Sequence, residues 1–271
     1  MRFLLLSGMG FNPILIVLSL LFLRLHGSVA SPDSIIRILP EGRDNYSHRK
    51  IPREVYQQCE SWRFTVETND AGPFSRIPSE CASFVKDYVT GYAYISDSEA
   101  VADASIAFAK TVQLAGDGKD VWIFDVDETL LSNLPYYADH GFGSEIFDEK
   151  IFNAWIDLAE APVLPASLRL YRELLQLGFK IVLLTGRDES QREVTEKNLY
   201  NAGYSNWERL LLRGPSDRGK TATLFKSEKR KELEDAGYRI QGSSGDQWSD
   251  LNGFAVATRS FKLPNPMYSF L

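Results

Sequence analysis

Histidine and cysteine are scarce in this chain of 271 residues, and its positive charges are outnumbered by negative ones. Its three histidines are His26, His48 and His140, and His26 lies in an N-terminal stretch expected to be removed. So few histidines argue against a histidine nucleophile and against a His-rich dinuclear metal centre. The formal net charge is −6, and loss of the first 30 residues, which hold Arg2 and Arg24 but no acid, makes it −8. Such a chain is a poor candidate for binding nucleic acid or an anionic membrane. Internal repeats and low-complexity tracts are missing too. Aromatic residues, at 12%, are plentiful enough to exclude a disordered chain. With 44% hydrophobic residues, the length suits one sizeable globular domain with room for an inserted subdomain.

The chain also lacks an apolar run of about 20 residues, the length of a membrane span. Its longest run, Ile14 to Leu23 broken only by Ser19, stops at Arg24. With Arg2 ahead of it and Ser28-Val29-Ala30 behind it, residues 1–30 read as a secretory signal peptide cleaved before Ser31, with no stable membrane anchor. Residues 31–58 are polar, rich in Arg and Ser and without periodicity, and are expected to form an N-terminal arm. Asn45-Tyr46-Ser47 in that arm is an N-glycosylation sequon. The two cysteines, Cys59 and Cys81, can pair in an oxidising compartment and close a modest loop; two buried thiols are the alternative.

From Cys59 onward the pattern is that of one domain, 59–271. Phe84, Val85, Tyr88 and Val89 fall at helical spacing within 79–93. Ser96-Asp97-Ser98-Glu99 resembles a helix start, continued from Ala100 to Leu114. A strand is expected over 121–125. Strands at 179–184, 210–212 and 238–241 then alternate with helices at 166–177, 189–202 and 226–235. This alternation predicts an α/β fold, a Rossmann-like parallel sheet with helices on both faces. The stretch 131–165 breaks it. Pro135, Tyr136, Tyr137, His140, Gly141, Phe142 and Gly143 precede a helix expected over 146–159, so the stretch reads as a small helical cap inserted after the first strand.

The chemistry concentrates at strand ends. In Val121 to Leu131 an apolar, β-branched run leads into two aspartates one residue apart, Asp125 and Asp127. Carboxylates among such residues are costly to bury, so a solvated face is a poor explanation. A buried parallel strand reads as a continuous apolar run, and open α/β sheets place ligands at its carboxyl end. There one aspartate can attack as a nucleophile, its neighbour can move protons, and both can hold a hard cation such as magnesium. Thr185, Lys226, and the pair Asp246 and Asp250 fall at similar junctions. Lys220 is a rival to Lys226, which is preferred because it is expected to open a helix.

The motifs FDVDETL at 124–130, LTGR at 184–187, KSEKR at 226–230 and GDQWSD at 245–250 occur in that order, followed by the tail FKLPNPMY at 261–268. Together they resemble the haloacid-dehalogenase superfamily. The likeness is closer to its plant-type acid phosphatases, related to the class B acid phosphatases and the vegetative storage proteins. It covers the chain from about Cys59 to the end. The resemblance implies hydrolysis of small phosphomonoesters with Mg2+, at acid pH. Asp125 would become an aspartyl-phosphate, and Asp127 would protonate the leaving alcohol and then activate water. Thr185 and Lys226 would bind the phosphoryl group. Asp125, the Asp127 carbonyl, Asp246 and Asp250 would form the metal site, with Asp250 either binding or orienting. Relatives often associate, which implies a homo- or heterodimer, and the expected location is the cell wall or the vacuole. The alternative is a storage protein with weak or irrelevant catalysis. Some storage relatives lack the nucleophilic aspartate, and this chain has Asp125. Family dehalogenases lack an aspartate two residues after the nucleophile, so Asp127 favours a phosphatase.

Overall fold

The computed structural model describes residues 51–269. Five strands, β1 (Asp120–Phe124), β2 (Lys180–Asp188), β3 (Arg209–Arg213), β4 (Arg239–Gly245) and β5 (Arg259–Lys262), form one sheet in the order β3-β2-β1-β4-β5. Every neighbouring pair is parallel. The central strand β1 is buried along its whole length, which is why it reads as an unbroken apolar run.

The two-residue side-chain period divides β1 and β2 between two cores. Trp122, Phe124, Ile181 and Leu183 pack on one face with Leu170 and Leu174 of helix α6 (Pro165–Leu177) and with Ala102 and Ile106 of α3 (Tyr92–Ala109). Val121, Ile123, Val182 and Leu184 pack on the other with Phe225 and Leu233 of α8 (Ala222–Asp235). The α/β architecture with helices on both faces is therefore as the sequence predicts. The chain winds from β1 outward to β3 through α6 and α7 (Arg192–Asn201), then returns to the other side of β1. The carboxyl ends of β1 and β4 thus flank the point where strand order reverses, the usual ligand crevice of such sheets.

A third apolar cluster joins α1 (Arg53–Glu67) and α2 (Ala82–Val89) to the segment after β1. It contains the Cys59–Cys81 disulfide, with Cα atoms 5.4 Å apart. The segment 131–165 holds two short helices, α4 (Leu134–Asp139) and α5 (Glu149–Ile156). The second starts three residues later than its apolar pattern suggests, because the Asp148 side chain accepts the Lys150 and Ile151 N–H groups and caps it there.

Other boundaries also differ from the sequence reading. Helix α3 begins at Tyr92 after Gly91, and Ser98 lies inside it with its hydroxyl bonded to the Tyr94 carbonyl rather than acting as a cap. Residues 53–58, expected in a loose arm, are the first turns of α1. Strand β5 and the one-turn helix α9 (Trp248–Leu251) are too short to show a period in the sequence. The expected signal peptide, most of the arm and Asn45 lie outside the described residues. Among the described residues no helix is long and apolar enough to cross a membrane.

Candidate active site

Asp125 is the first residue beyond β1, and its N–H donates to the Ser244 carbonyl of β4 at 3.0 Å. The chain then folds back sharply: Leu130 and Leu131 N–H both donate to the Val126 carbonyl at 2.9 Å, and Glu128 takes a left-handed φ of 50°. This turn leaves the carboxyl groups of Asp125 and Asp127 at the strand end. Asp246 follows β4 directly, and Asp250 sits within α9. Gly245 makes that return possible, because a Cβ there would lie 2.3 Å from the Asp250 side chain.

Asp125, Asp246 and Asp250 are all buried, and one carboxylate oxygen from each lies within 4.8 Å of the other two. Lys226 supplies the cation, donating from Nζ to Asp125 Oδ1 at 2.8 Å and also to Asp250 Oδ1. Burial and the neighbouring Asp250 push the Asp125 carboxyl up from its ordinary value. The same two causes push Asp246 up to about 6, against the pull of bonds from Asn265 and Gln247. Burial would lower the Lys226 ammonium, but Asp125 and Asp250 outweigh it and hold the group charged. Three buried carboxylates against one lysine leave an excess of negative charge, and an all-oxygen donor set suits a hard divalent cation.

Asp246 is held from three sides. Thr129 Oγ1 donates to Oδ1 at 3.2 Å, while Gln247 Nε2 and Asn265 Nδ2 donate to Oδ2 at 2.7 and 2.8 Å. Asp127 is held by a different set. Arg187 grips it with Nε on Oδ2 at 3.0 Å and Nη2 on Oδ1 at 2.7 Å, and Asn133 Nδ2 adds a bond to Oδ1 at 2.9 Å. Burial alone would raise the Asp127 carboxyl, but Arg187 and Asn133 turn the shift downward. Thr185 is fully buried in β2 and its Oγ1 accepts the Arg187 N–H at 3.2 Å.

Asp125, Lys226, Asp246 and Asp250 therefore meet in one cluster, with Asp127 two residues after Asp125 in sequence and Thr185 within the adjacent strand β2. Lys226 does not open its helix: α8 starts at Ala222 behind a Thr221 cap, and Lys226 lies in the second turn. The rival Lys220 pairs instead with Asp217 at 2.8 Å and Glu228 at 2.5 Å. Arg187, the last residue of the LTGR motif, pairs with Asp127. Sequence reasoning missed Asn133 and Glu128. Their only signal is polar side chains amid the apolar residues after β1, and both are fully buried. The cap residues Tyr136 and Tyr137 are buried core. A cleft of about 400 Å³ beside them is walled by Phe74, Phe147 and Tyr268, and none of the clustered acids lines it, so it is not the site of chemistry.

Residues 46–271 match the family described as HAD superfamily, subfamily IIIB (Acid phosphatase). Acid phosphatase 1 of Solanum lycopersicum is 56% identical over 226 residues, covering 83% of this chain and 88% of that protein. Vegetative storage protein 1 of Arabidopsis thaliana is 40% identical over 215 residues, covering 79% of each chain. In fold, the chain is similar to a class C acid phosphatase from Bacillus anthracis solved with tungstate bound. The TM-score is 0.55 at 24% identity, with 70% of this chain and 86% of that one covered. The chain belongs to the haloacid-dehalogenase superfamily, subfamily IIIB, the acid phosphatases, and is a phosphomonoester hydrolase.

Proposed function

We propose that this phosphatase works through an aspartyl-phosphate on Asp125 with Mg2+ as its metal. The observation that carries the reading is the buried contact of Lys226 Nζ with Asp125 Oδ1, 2.8 Å, beside Asp246 and Asp250. Asp125 attacks phosphorus, the bond to the leaving oxygen breaks, and the departing alkoxide takes a proton from the Asp127 carboxyl, which has to be protonated against the pull of Arg187 and Asn133, as an acid medium favours. In the second step water gives a proton to the Asp127 carboxylate and attacks phosphorus. The bond to Asp125 breaks, and orthophosphate leaves with the Asp125 carboxylate restored. Lys226 and the Thr185 hydroxyl stabilise charge on the phosphoryl oxygens. Asp125, Asp246, Asp250 and the Asp127 carbonyl would hold Mg2+. When bound, that ion supplies positive charge which lets an anionic nucleophile approach an anionic phosphoryl group.

Hydrolysis of p-nitrophenyl phosphate across pH 4–8, with Mg2+ and with chelator, tests the reading beside an Asp125→Asn control. Metal-dependent turnover lost in the control is expected. A folded, metal-binding protein inactive on a broad phosphomonoester panel would overturn it and favour the storage role. The protein's expected route is the secretory pathway, to the cell wall or vacuole, with cleavage before Ser31 and a glycan on Asn45. The Cys59–Cys81 bond supports an oxidising compartment. Mass analysis of the mature protein before and after deglycosylation checks both modifications. Sedimentation of that material tests the expected dimer.

A further inference from the structure

Asn133 is fully buried and every hydrogen-bonding atom of its side-chain amide is engaged. Nδ2 donates to Asp127 Oδ1 at 2.9 Å and to Glu128 Oε2 at 3.1 Å. Oδ1 accepts from the indole Nε1 of Trp155, on cap helix α5, at 2.9 Å. An indole N–H can only donate, so Trp155 dictates which end of the amide faces inward. The NH2 group must then point at the two carboxyls. The consequence falls on Asp127. Its Oδ1 accepts both Asn133 Nδ2 and Arg187 Nη2, whereas Oδ2 accepts Arg187 Nε alone. With two lone pairs on each oxygen, Oδ1 is saturated and Oδ2 keeps one free.

We propose that Asn133, oriented by Trp155 of the cap, is a positioning residue that holds the Asp127 carboxyl in the orientation from which it serves the leaving group. This rests on Asp127 being the acid, as proposed above. The cap is then coupled to proton transfer through a single amide. Without the indole donor the amide is free to flip and present its oxygen to the carboxylate. Without the amide, only the Arg187 fork holds the carboxyl, and the cap no longer sets its orientation.

The test uses two substrates of nearly equal shape, phenyl and p-nitrophenyl phosphate. The nitrophenolate leaves with little help, whereas phenolate needs the proton. The ratio of kcat/KM for p-nitrophenyl over phenyl phosphate therefore reads donation to the leaving group, because kcat/KM covers the steps through loss of the alcohol. In Asn133→Ala and Trp155→Phe we expect this ratio to rise by about 10-fold or more, the scale of a misdirected general acid. A cap that is merely loosened lowers both values together, and a ratio within about 2-fold of wild type in both variants would overturn the proposal. If Asn133→Ala does not fold, Trp155→Phe carries the test, since Trp155 is only half-buried. Asp127→Asn should raise the ratio by itself, and adding Trp155→Phe to it should change nothing further. An unchanged ratio in Asp127→Asn would instead remove Asp127 as the acid, and this inference with it.

Discussion

Arg187 and Asp127 form a two-pronged ion pair across the mouth of the site, with the arginine side chain 3% and the aspartate 17% exposed. The fork joins the end of β2 to the turn after β1 and fixes the plane of the carboxylate. Thr195 Oγ1 accepts the remaining Arg187 Nη1 at 3.1 Å, so the guanidinium itself cannot swing. Arg187→Lys keeps the charge but loses the planar fork. We expect kcat/KM for phenyl phosphate to fall about 100-fold in that variant, the cost of a poorly aimed catalytic group. Activity within a few-fold of wild type would mean that charge alone suffices.

Lys226 is the sole cation paired with the carboxylates of Asp125 and Asp250 among the described residues. Lys226→Met therefore leaves like charges buried without a partner. Removal of one member of a buried pair costs about 3–5 kcal/mol, and the metal-free variant should lose stability on that scale. Addition of Mg2+ should recover more stability in the variant than in wild type. Urea unfolding with and without Mg2+ measures both effects, while turnover should fall by at least about 100-fold.

Asn265 touches the proposed metal site only through Asp246, at 2.8 Å. It comes from the tail beyond β5, and its own Oδ1 accepts the Met267 N–H at 2.9 Å, which fixes the amide orientation. Asn265→Ala should weaken Mg2+ binding by about 10–100-fold, the usual effect of losing a partner that orients a ligand. Calorimetric titration with Mg2+ in the absence of substrate checks this.

Acid stability should depend on a pair far from the chemistry. Asp120, at the start of β1, is buried and accepts bonds from Arg239, Gln241 and the Ala115 N–H. The Arg239 bonds, helped by Gln241 and Ala115, hold its carboxyl well below the ordinary value despite burial. A depressed folded-state value adds stability above the unfolded value of about 4, and that contribution is lost as pH falls below it. Asp120→Asn should thus destabilise the protein at pH 7, and the gap to wild type should close toward about pH 2. Urea midpoints at pH 7, 4 and 2.5 follow that gap; one that widens on acidification would contradict the assignment.

The disulfide staples α1 to the turn before α2, closing a sequence separation of 22 residues. Loss of such a loop constraint costs about 3 kcal/mol in the chain-entropy account. A Cys59→Ser, Cys81→Ser double variant should melt lower by several degrees. Its kcat should change little, because neither cysteine touches the acidic cluster. Scanning calorimetry and kinetics on the same sample separate the two effects.

How much of this was legible in advance depends on the range of the interactions. The apolar run of β1, the β–α alternation and the meeting of Asp125, Lys226, Asp246 and Asp250 at one edge of the sheet could be expected from the chain. Strand burial and residue type are local properties, and the motifs are short enough to be compared with those of a known family. The short elements β5 and α9 could not, because four residues do not show a period. Nor could the partner of Arg187, which lies 60 residues away in Asp127. Asn133 shows the division most clearly. The sequence by itself placed Asp127 two residues after Asp125, but which of its oxygens is free was decided only when β2 and the cap converged on it. Hydrogen-bond saturation is a property of atoms brought together by the fold, and spacing along the chain does not encode it.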